Sequence, residues 1–138
     1  MKKIVYLIVL SLSLLNAKAF NAPMQTYMNE LSAEAKAQNP NFTGFDATRG
    51  EKLFVSKQTG KKGSEMSCTS CHTNNLKNSG QNVNTNKPIT ALAPSANPAR
   101  LTDVAEVQKW LRRNFNDVFA REGTALEKGD VLTYIINQ

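Results

Sequence analysis

Both cysteines and the single histidine of this 138-residue chain lie in one pentapeptide, Cys68-Thr69-Ser70-Cys71-His72. Its C-x-x-C-H spacing is typical of covalent haem c attachment. Two thiols three residues apart can each add to one vinyl group of the same porphyrin. That tether places the next imidazole beneath the iron. The motif therefore predicts one haem c, joined by thioethers at Cys68 and Cys71, with His72 as an iron ligand.

Three other uses of a cysteine pair fit this chain less well. A structural zinc site needs about four ligands, whereas the chain offers three candidates in one pentapeptide. A thioredoxin-like redox pair requires a βαβ setting, and no strand pattern surrounds the motif. A disulfide between Cys68 and Cys71 would close a very small loop and would stabilise a chain of this size little.

The residue that would occupy the sixth position on the iron is not obvious. Electron-transfer cytochromes usually use Met or His there, but His72 is the only histidine and no methionine follows the motif. Met66 is too close to Cys68 to reach the opposite face of the ring. Met24 or Met28 would have to reach the iron from the first predicted helix.

Asn114 is a further candidate for the sixth ligand. It lies four residues after Trp110 and four before Val118, so it falls on the apolar stripe of a predicted helix. An unpaired buried amide costs about 1–3 kcal/mol, which iron or a haem-bound ligand would offset. Periodicity alone favours the alternative, an asparagine at the stripe edge that is bonded to backbone or water. Lys77 and Lys87 are competing ligands in the long loop.

The redox state of the iron would matter for such a ligand, because an amide is a weak ligand for ferrous iron. If Asn114 binds ferric iron, reduction would release it and open the site to a small diatomic molecule. The released amide could then donate a hydrogen bond to that molecule.

The surrounding sequence predicts four helices joined by long polar loops, which defines an all-α fold. Apolar periodicity and cap residues place the helices at residues 22–38, 47–57, 103–120 and 125–137. Gly50 either allows a close helix approach or is only a weak point in its helix. A buried porphyrin would give apolar side chains a surface to pack on, although simple core packing is the alternative for each. These side chains are Phe54, Leu92, Trp110, Leu111 and Tyr134.

The N-terminus has the plan of a secretory signal peptide. A basic start, an apolar run over residues 4–15 and a small-x-small ending predict cleavage after Ala19. The expected organisation is a signal at 1–19, an N-terminal helix and connector at 20–46, and a haem domain at 47–138. The protein is then periplasmic, and an uncleaved signal would anchor it to the membrane.

Charge excludes one broad class of function. The net charge is +6, and removal of the signal with its three lysines would leave +3. Nucleic-acid modules cluster Lys and Arg on one face, but this chain has only the pairs 61–62 and 112–113. We therefore expect no nucleic-acid partner.

The second half of the chain resembles the sphaeroides haem protein (SHP) family of small monohaem cytochromes c. Most of residues 47–137 take part in this resemblance. The matching stretches are 49–54, 58–60, 67–72, 92–98, 100–103, 109–114 and 127–130. The Lys-Trp-Leu-x-Arg-Asn run and the proline-rich loop before it are more specific than the haem motif.

The resemblance implies a class I cytochrome c-like helical domain with long haem-wrapping loops. It maps the family's distal asparagine ligand onto Asn114, which would detach on reduction so that ferrous haem binds oxygen or nitric oxide. It also implies that Trp110 packs near the haem. The implied partners are a dihaem cytochrome c and a membrane cytochrome b.

The chain departs from the family at one pair of positions. Family members carry a cysteine pair after the ligand asparagine, where this chain has Phe115 and Gly123. A disulfide contributes about 2–4 kcal/mol. Packing of Phe115 is expected to replace part of that.

Two other functions compete with diatomic binding. A plain periplasmic electron carrier would keep its sixth ligand in both redox states. A peroxide or oxygen reductase would need a distal acid or base, yet the chain has no second histidine. Arg112 and Arg113 are expected to point away from the apolar stripe, so catalysis is not expected.

Overall fold

The computed structural model describes residues 18–138. The predicted signal peptide lies outside the described residues except for its last two positions. Five helices and four two-residue strands follow in chain order. They are α1 (Ala22–Gln38), α2 (Ala47–Val55), β1 (Gln58–Thr59), β2 (Glu65–Met66), α3 (Thr69–His72), β3 (Gly80–Gln81), β4 (Pro88–Ile89), α4 (Val104–Phe119) and α5 (Ala125–Ile136). The predicted helical fold is confirmed.

The helices begin where polar side chains accept bonds from free backbone N–H groups. Asn21, Asp46 and Asp103 cap α1, α2 and α4 in this way. Thr124 and Glu127 form a reciprocal capping box at the start of α5. These caps explain why sequence alone located the four long helices to within about two residues.

The strands were not predicted, because each is only two residues long. β1 pairs antiparallel with β2, and β3 pairs antiparallel with β4. The first pair leads directly into the haem motif, and the second lies in the long loop that follows it. They fix the conformation of segments that would otherwise be irregular.

The crossing of α2 and α5 resolves the role of Gly50. A Cβ atom at Gly50 would fall 2.1 Å from the backbone oxygen of Asp130, so only glycine allows this approach. The Asp130 carboxylate, which is 4% exposed, accepts the Asp46 N–H and pairs with Arg49. Gly50 is therefore a close-contact residue in a helix crossing that an ion pair secures.

Helix α1 packs against α4 and α5. Its buried residues are Met24, Tyr27, Met28, Leu31 and Ala35. They belong to the same hydrophobic core as the buried residues of α2, α4 and α5. Within residues 18–138, no helix has both the length and the apolar character needed to cross a membrane.

Candidate functional site

The pentapeptide forms a single tight turn of helix. The N–H groups of Cys71 and His72 both donate to the Cys68 carbonyl, at 3.2 and 3.1 Å. The Ser67 N–H donates to the Ser70 hydroxyl at 3.0 Å. This local structure sets the spacing between the two thiols and the imidazole.

Strand β3 supports the turn at close range. A Cβ at Gly80 would lie 1.9 Å from the Cys71 carbonyl oxygen. No other residue type would fit between the long loop and the motif without displacing one of them. The loop is therefore held directly against the segment that carries the cysteines.

All five predicted site residues line one cavity of about 740 Å³, namely Cys68, Cys71, His72, Trp110 and Asn114. The volume lies within the range of cofactor sites, about 300–1,000 Å³. Apolar side chains supply much of the wall, including Leu53, Phe54, Leu92, Val107, Leu111 and Leu132. Two thiols and an imidazole beside an apolar space fit a covalently tethered haem.

Burial sets the protonation state of the motif. Burial lowers the pKa of His72 to about 4, and the positive charge of Arg100 adds to the effect. The imidazole is therefore neutral at pH 7 and has a lone pair for a metal. Burial also raises the pKa of Cys68 to about 12, with a contribution from Cys71.

Two aromatic rings support His72. The Phe54 ring centroid lies 6.0 Å from that of His72 at an interplanar angle of 44°. Phe54 in turn packs on Tyr134 with centroids 5.5 Å apart. The crossing of α2 and α5 thus holds the imidazole in place. Tyr134 acts through Phe54 and is not among the residues that line the cavity.

Asn114 is half-buried and lines the cavity. Within the described part of the chain, no side-chain hydrogen bond uses its amide. The alternative of an asparagine bonded to protein backbone is therefore not found. The amide keeps its bonding capacity for a group in the cavity.

The competing ligands separate into two groups. Met24 and Met28 are buried in the core, and neither they nor Lys77 is among the residues of 18–138 that line the cavity. Lys87 and Met66 do line it. The cavity lining thus favours Lys87 over the two methionines of α1, while Met66 stays too close to Cys68 to reach the opposite face of the ring.

Two expectations about α4 were wrong. Trp110 does not lie within a buried stripe but is 41% exposed, at the edge of the cavity. Arg113 does not point away, because it too lines the cavity, and its Cζ lies 5.4 Å from the Trp110 ring centroid. The cavity wall is wider than the apolar stripe, so it includes neighbouring polar positions.

Sequence reasoning missed several other polar residues of the cavity, among them Arg100 and Asn116. Arg100 donates to the carbonyl oxygens of Ala91 and Thr90 at 3.0 and 2.8 Å. It thereby ties the proline-containing loop together beside the cavity. The only sequence feature that could have pointed to Arg100 as a site residue is its position within the matching stretch 100–103. No sequence feature pointed to Asn116.

The chain is similar to known cytochromes over most of its length. A family model described as a domain of unknown function, DUF1924, matches residues 40–135. The cytochrome c-type protein SHP of Cereibacter sphaeroides is 50% identical over 93 residues, covering 67% of this chain and 71% of that protein. Cytochrome c'' of Methylophilus methylotrophus is 34% identical over 104 residues, covering 75% and 72%.

Solved structures agree with these matches. Oxidised SHP, described as an oxygen-binding cytochrome c, superposes with a TM-score of 0.74 at 42% identity, over 87% of this chain and 100% of that one. Oxidised cytochrome c'' gives 0.74 at 30% identity, over 83% and 94%. A solution structure of cytochrome c'', which addresses haem-ligand detachment, gives 0.73 at 30% identity, over 84% and 94%.

The fold and the site define a small helical c-type cytochrome. More particularly, the chain belongs to the DUF1924 family and is an SHP-like cytochrome c. The resemblance drawn from the sequence is confirmed.

Proposed function

We propose that this protein is an exported monohaem cytochrome c that binds a small diatomic molecule, oxygen or nitric oxide, when it is reduced. Haem c would be attached at Cys68 and Cys71, with His72 and Asn114 as axial ligands. When bound, the haem supplies an iron that changes between ferric and ferrous states and has one replaceable ligand position. The observation that carries the proposal is that all four residues line one cavity.

The proximal residues provide a fixed and neutral ligand. The low pKa of His72 keeps the ring nitrogen unprotonated. Phe54 limits rotation of the imidazole. Thioethers at both cysteines would hold the cofactor in register with this imidazole.

The distal residue provides a ligand that is easily lost. The Asn114 amide oxygen is neutral and hard, and such oxygen donors suit hard cations better than ferrous iron. Reduction should therefore favour its release. The released amide can donate a hydrogen bond into the distal space. The oxygen binding of SHP and the ligand detachment of cytochrome c'' support this proposal.

The setting of the protein is also part of the proposal. The predicted signal peptide supports export to the periplasm, with membrane anchoring if it is not cleaved. A dihaem cytochrome c and a membrane cytochrome b are the partners that family resemblance favours. Either would exchange electrons with the haem.

A permanent sixth ligand would instead make the protein a plain electron carrier. Lys87 lines the cavity and is the residue that would fill this role. Such a ligand would remain bound in both redox states and would exclude diatomic molecules.

The test of the proposed ligation compares Asn114→Ala with Asn116→Ala in the holoprotein. Both asparagines lie on α4, are half-buried and line the cavity, so the second is a matched control. We expect the wild-type ferric optical and electron paramagnetic resonance signals to be lost in Asn114→Ala and to persist in Asn116→Ala. Unchanged ferric signals in Asn114→Ala would rule out this ligand.

A further inference from the structure

We infer that the contact between Phe115 and Gly123 positions Asn114 in the distal site. The inference rests on the proposed ligation by Asn114 and concerns how the protein holds that residue. Phe115 follows Asn114 directly in α4, is 4% exposed and also lines the cavity. Its ring thus reaches both the cavity and the turn that follows the helix.

The contact leaves no room for a side chain at residue 123. A Cβ there would lie 2.8 Å from each of three Phe115 ring carbons, Cγ, Cδ1 and Cε1. Such short distances force the neighbouring ring to shift. The backbone at Gly123 is not among the positive-φ positions of residues 18–138. Alanine would therefore add only the methyl group and no backbone strain.

The turn that carries Gly123 is itself fixed. Ala120 ends α4 in the left-handed conformation. Thr124 and Glu127 then open α5 with a capping box, and Arg121 makes two bonds to the Glu127 carboxylate at 2.8 and 2.6 Å. Gly123 lies between these restraints, so it provides a firm surface for the ring.

Two further contacts restrain the C-terminal half of α4. Phe119 stacks on Phe115 with centroids 5.2 Å apart and an interplanar angle of 29°. The Asp117 carbonyl accepts the Lys61 N–H at 2.9 Å, which ties the helix to the loop before the haem motif. Phe119 thus covers one face of the Phe115 ring, and a ring displaced by a methyl group at residue 123 presses on its own helical turn, on which Asn114 lies.

Asn114 is sensitive to such a movement, because none of the side-chain hydrogen bonds of the described residues holds its amide. The position of the amide then depends on the position of the helix. Phe115 and Gly123 act as positioning residues, and the ring contact provides a restraint that needs no covalent bond.

The experiment uses the holoproteins of Gly123→Ala, Phe115→Leu and the double variant. We expect the ratio of Asn-ligated to unligated ferric protein to fall at least about fivefold in Gly123→Ala. Phe115→Leu should also lower this ratio, because leucine lacks the ring that packs against the turn at Gly123. The double variant should recover part of the loss, since leucine leaves room for the added methyl group.

Phe42→Leu is the matched control for general destabilisation. Phe42 pairs with Phe45 at 5.2 Å and is not among the described residues that line the cavity. It should lower the denaturant midpoint while leaving the ferric spectrum unchanged. If Gly123→Ala does not yield folded holoprotein, the test is the comparison of the ferric spectra of Phe115→Leu and Phe42→Leu.

The outcomes separate this inference from the proposed ligation. Loss of the wild-type ferric signals in Asn114→Ala, together with wild-type ferric ratios in Gly123→Ala and Phe115→Leu, would overturn the inference alone. Equal spectral loss in Phe42→Leu and Phe115→Leu would also overturn it. An unchanged spectrum in Asn114→Ala would instead remove the ligation on which it rests.

Discussion

Asp130 is the buried charge that holds the haem-motif side of the molecule together. Its carboxylate accepts the Asp46 N–H at 2.7 Å and two guanidinium bonds from Arg49 at 2.8 and 2.9 Å. These bonds join α2 to α5 at their crossing. Because α2 also carries Phe54, the ion pair indirectly fixes the ring that packs on His72.

Asp130→Asn should therefore reduce stability noticeably. The amide keeps one acceptor but loses the negative charge, and hydrogen bonds to charged groups contribute about 1.5–3 kcal/mol. We expect the free energy of unfolding to fall by about 2 kcal/mol in urea titrations of the holoprotein. The haem-ligation spectrum should remain that of the wild type.

Glu65→Gln is the control for this substitution. Glu65 pairs with Lys57 at 2.9 Å, but both side chains are about two-thirds exposed. Exposed ion pairs contribute about 0–1 kcal/mol. Equal losses of stability in Asp130→Asn and Glu65→Gln would contradict the role assigned to Asp130.

At the scale of secondary structure, helix positions were largely predictable because their signals are local. Asp46, Asp103 and Thr124 mark helix starts through a bond to a backbone N–H a few residues ahead. The apolar stripe of α4 also follows from helical spacing alone. The two strand pairs were not predicted, because a strand of two residues is too short to show the alternation of apolar and polar residues that identifies a strand.

The candidate site was predictable to a different extent for each of its parts. The haem motif is a local pattern, and Asn114 stood out because a polar residue interrupts an apolar stripe. The positions of Arg100, Lys87 and Met66 depend on how the long loops fold back on α4. Such tertiary placement is not encoded in any local sequence pattern, and the exposure of Trp110 was misjudged for the same reason, although Trp110 lines the cavity as expected.

The capping box of α5 gives a pH-dependent contribution to stability. The bond from Arg121 lowers the pKa of Glu127 below its ordinary value of 4.5, and the bond from the Thr124 N–H adds to the effect. A depressed folded-state pKa means that this stabilisation is fully present above about pH 4.5. It is lost as the pH falls through the lower pKa of the folded state.

Glu127→Gln should remove this dependence. Glutamine can still accept the Thr124 N–H but cannot pair with Arg121 as a charge. We expect urea unfolding to show the variant less stable than wild type at pH 7, with the difference shrinking below pH 4.5. Glu30→Gln, an exposed site on α1, should differ little from wild type at either pH. A constant difference for Glu127→Gln across this range would count against the assigned titration.

At the scale of the whole molecule, the two residues proposed as axial ligands lie in parts of the structure that are restrained differently. His72 lies on a short turn held by Gly80 and Phe54. Asn114 lies within a long helix that is fixed near its end through Phe115. Under the proposed ligation, release of Asn114 would need only a local adjustment of α4, while the proposed attachment at the cysteines and His72 would stay in place.

The most direct test of this account is the spectrum of reduced wild-type holoprotein before and after mixing with carbon monoxide. If Asn114 leaves the iron on reduction, the ferrous spectrum is high-spin and shifts at once on mixing. A low-spin ferrous spectrum that carbon monoxide does not change would contradict this account. A strong ligand such as Lys87 would then persist, and the protein would be a plain electron carrier.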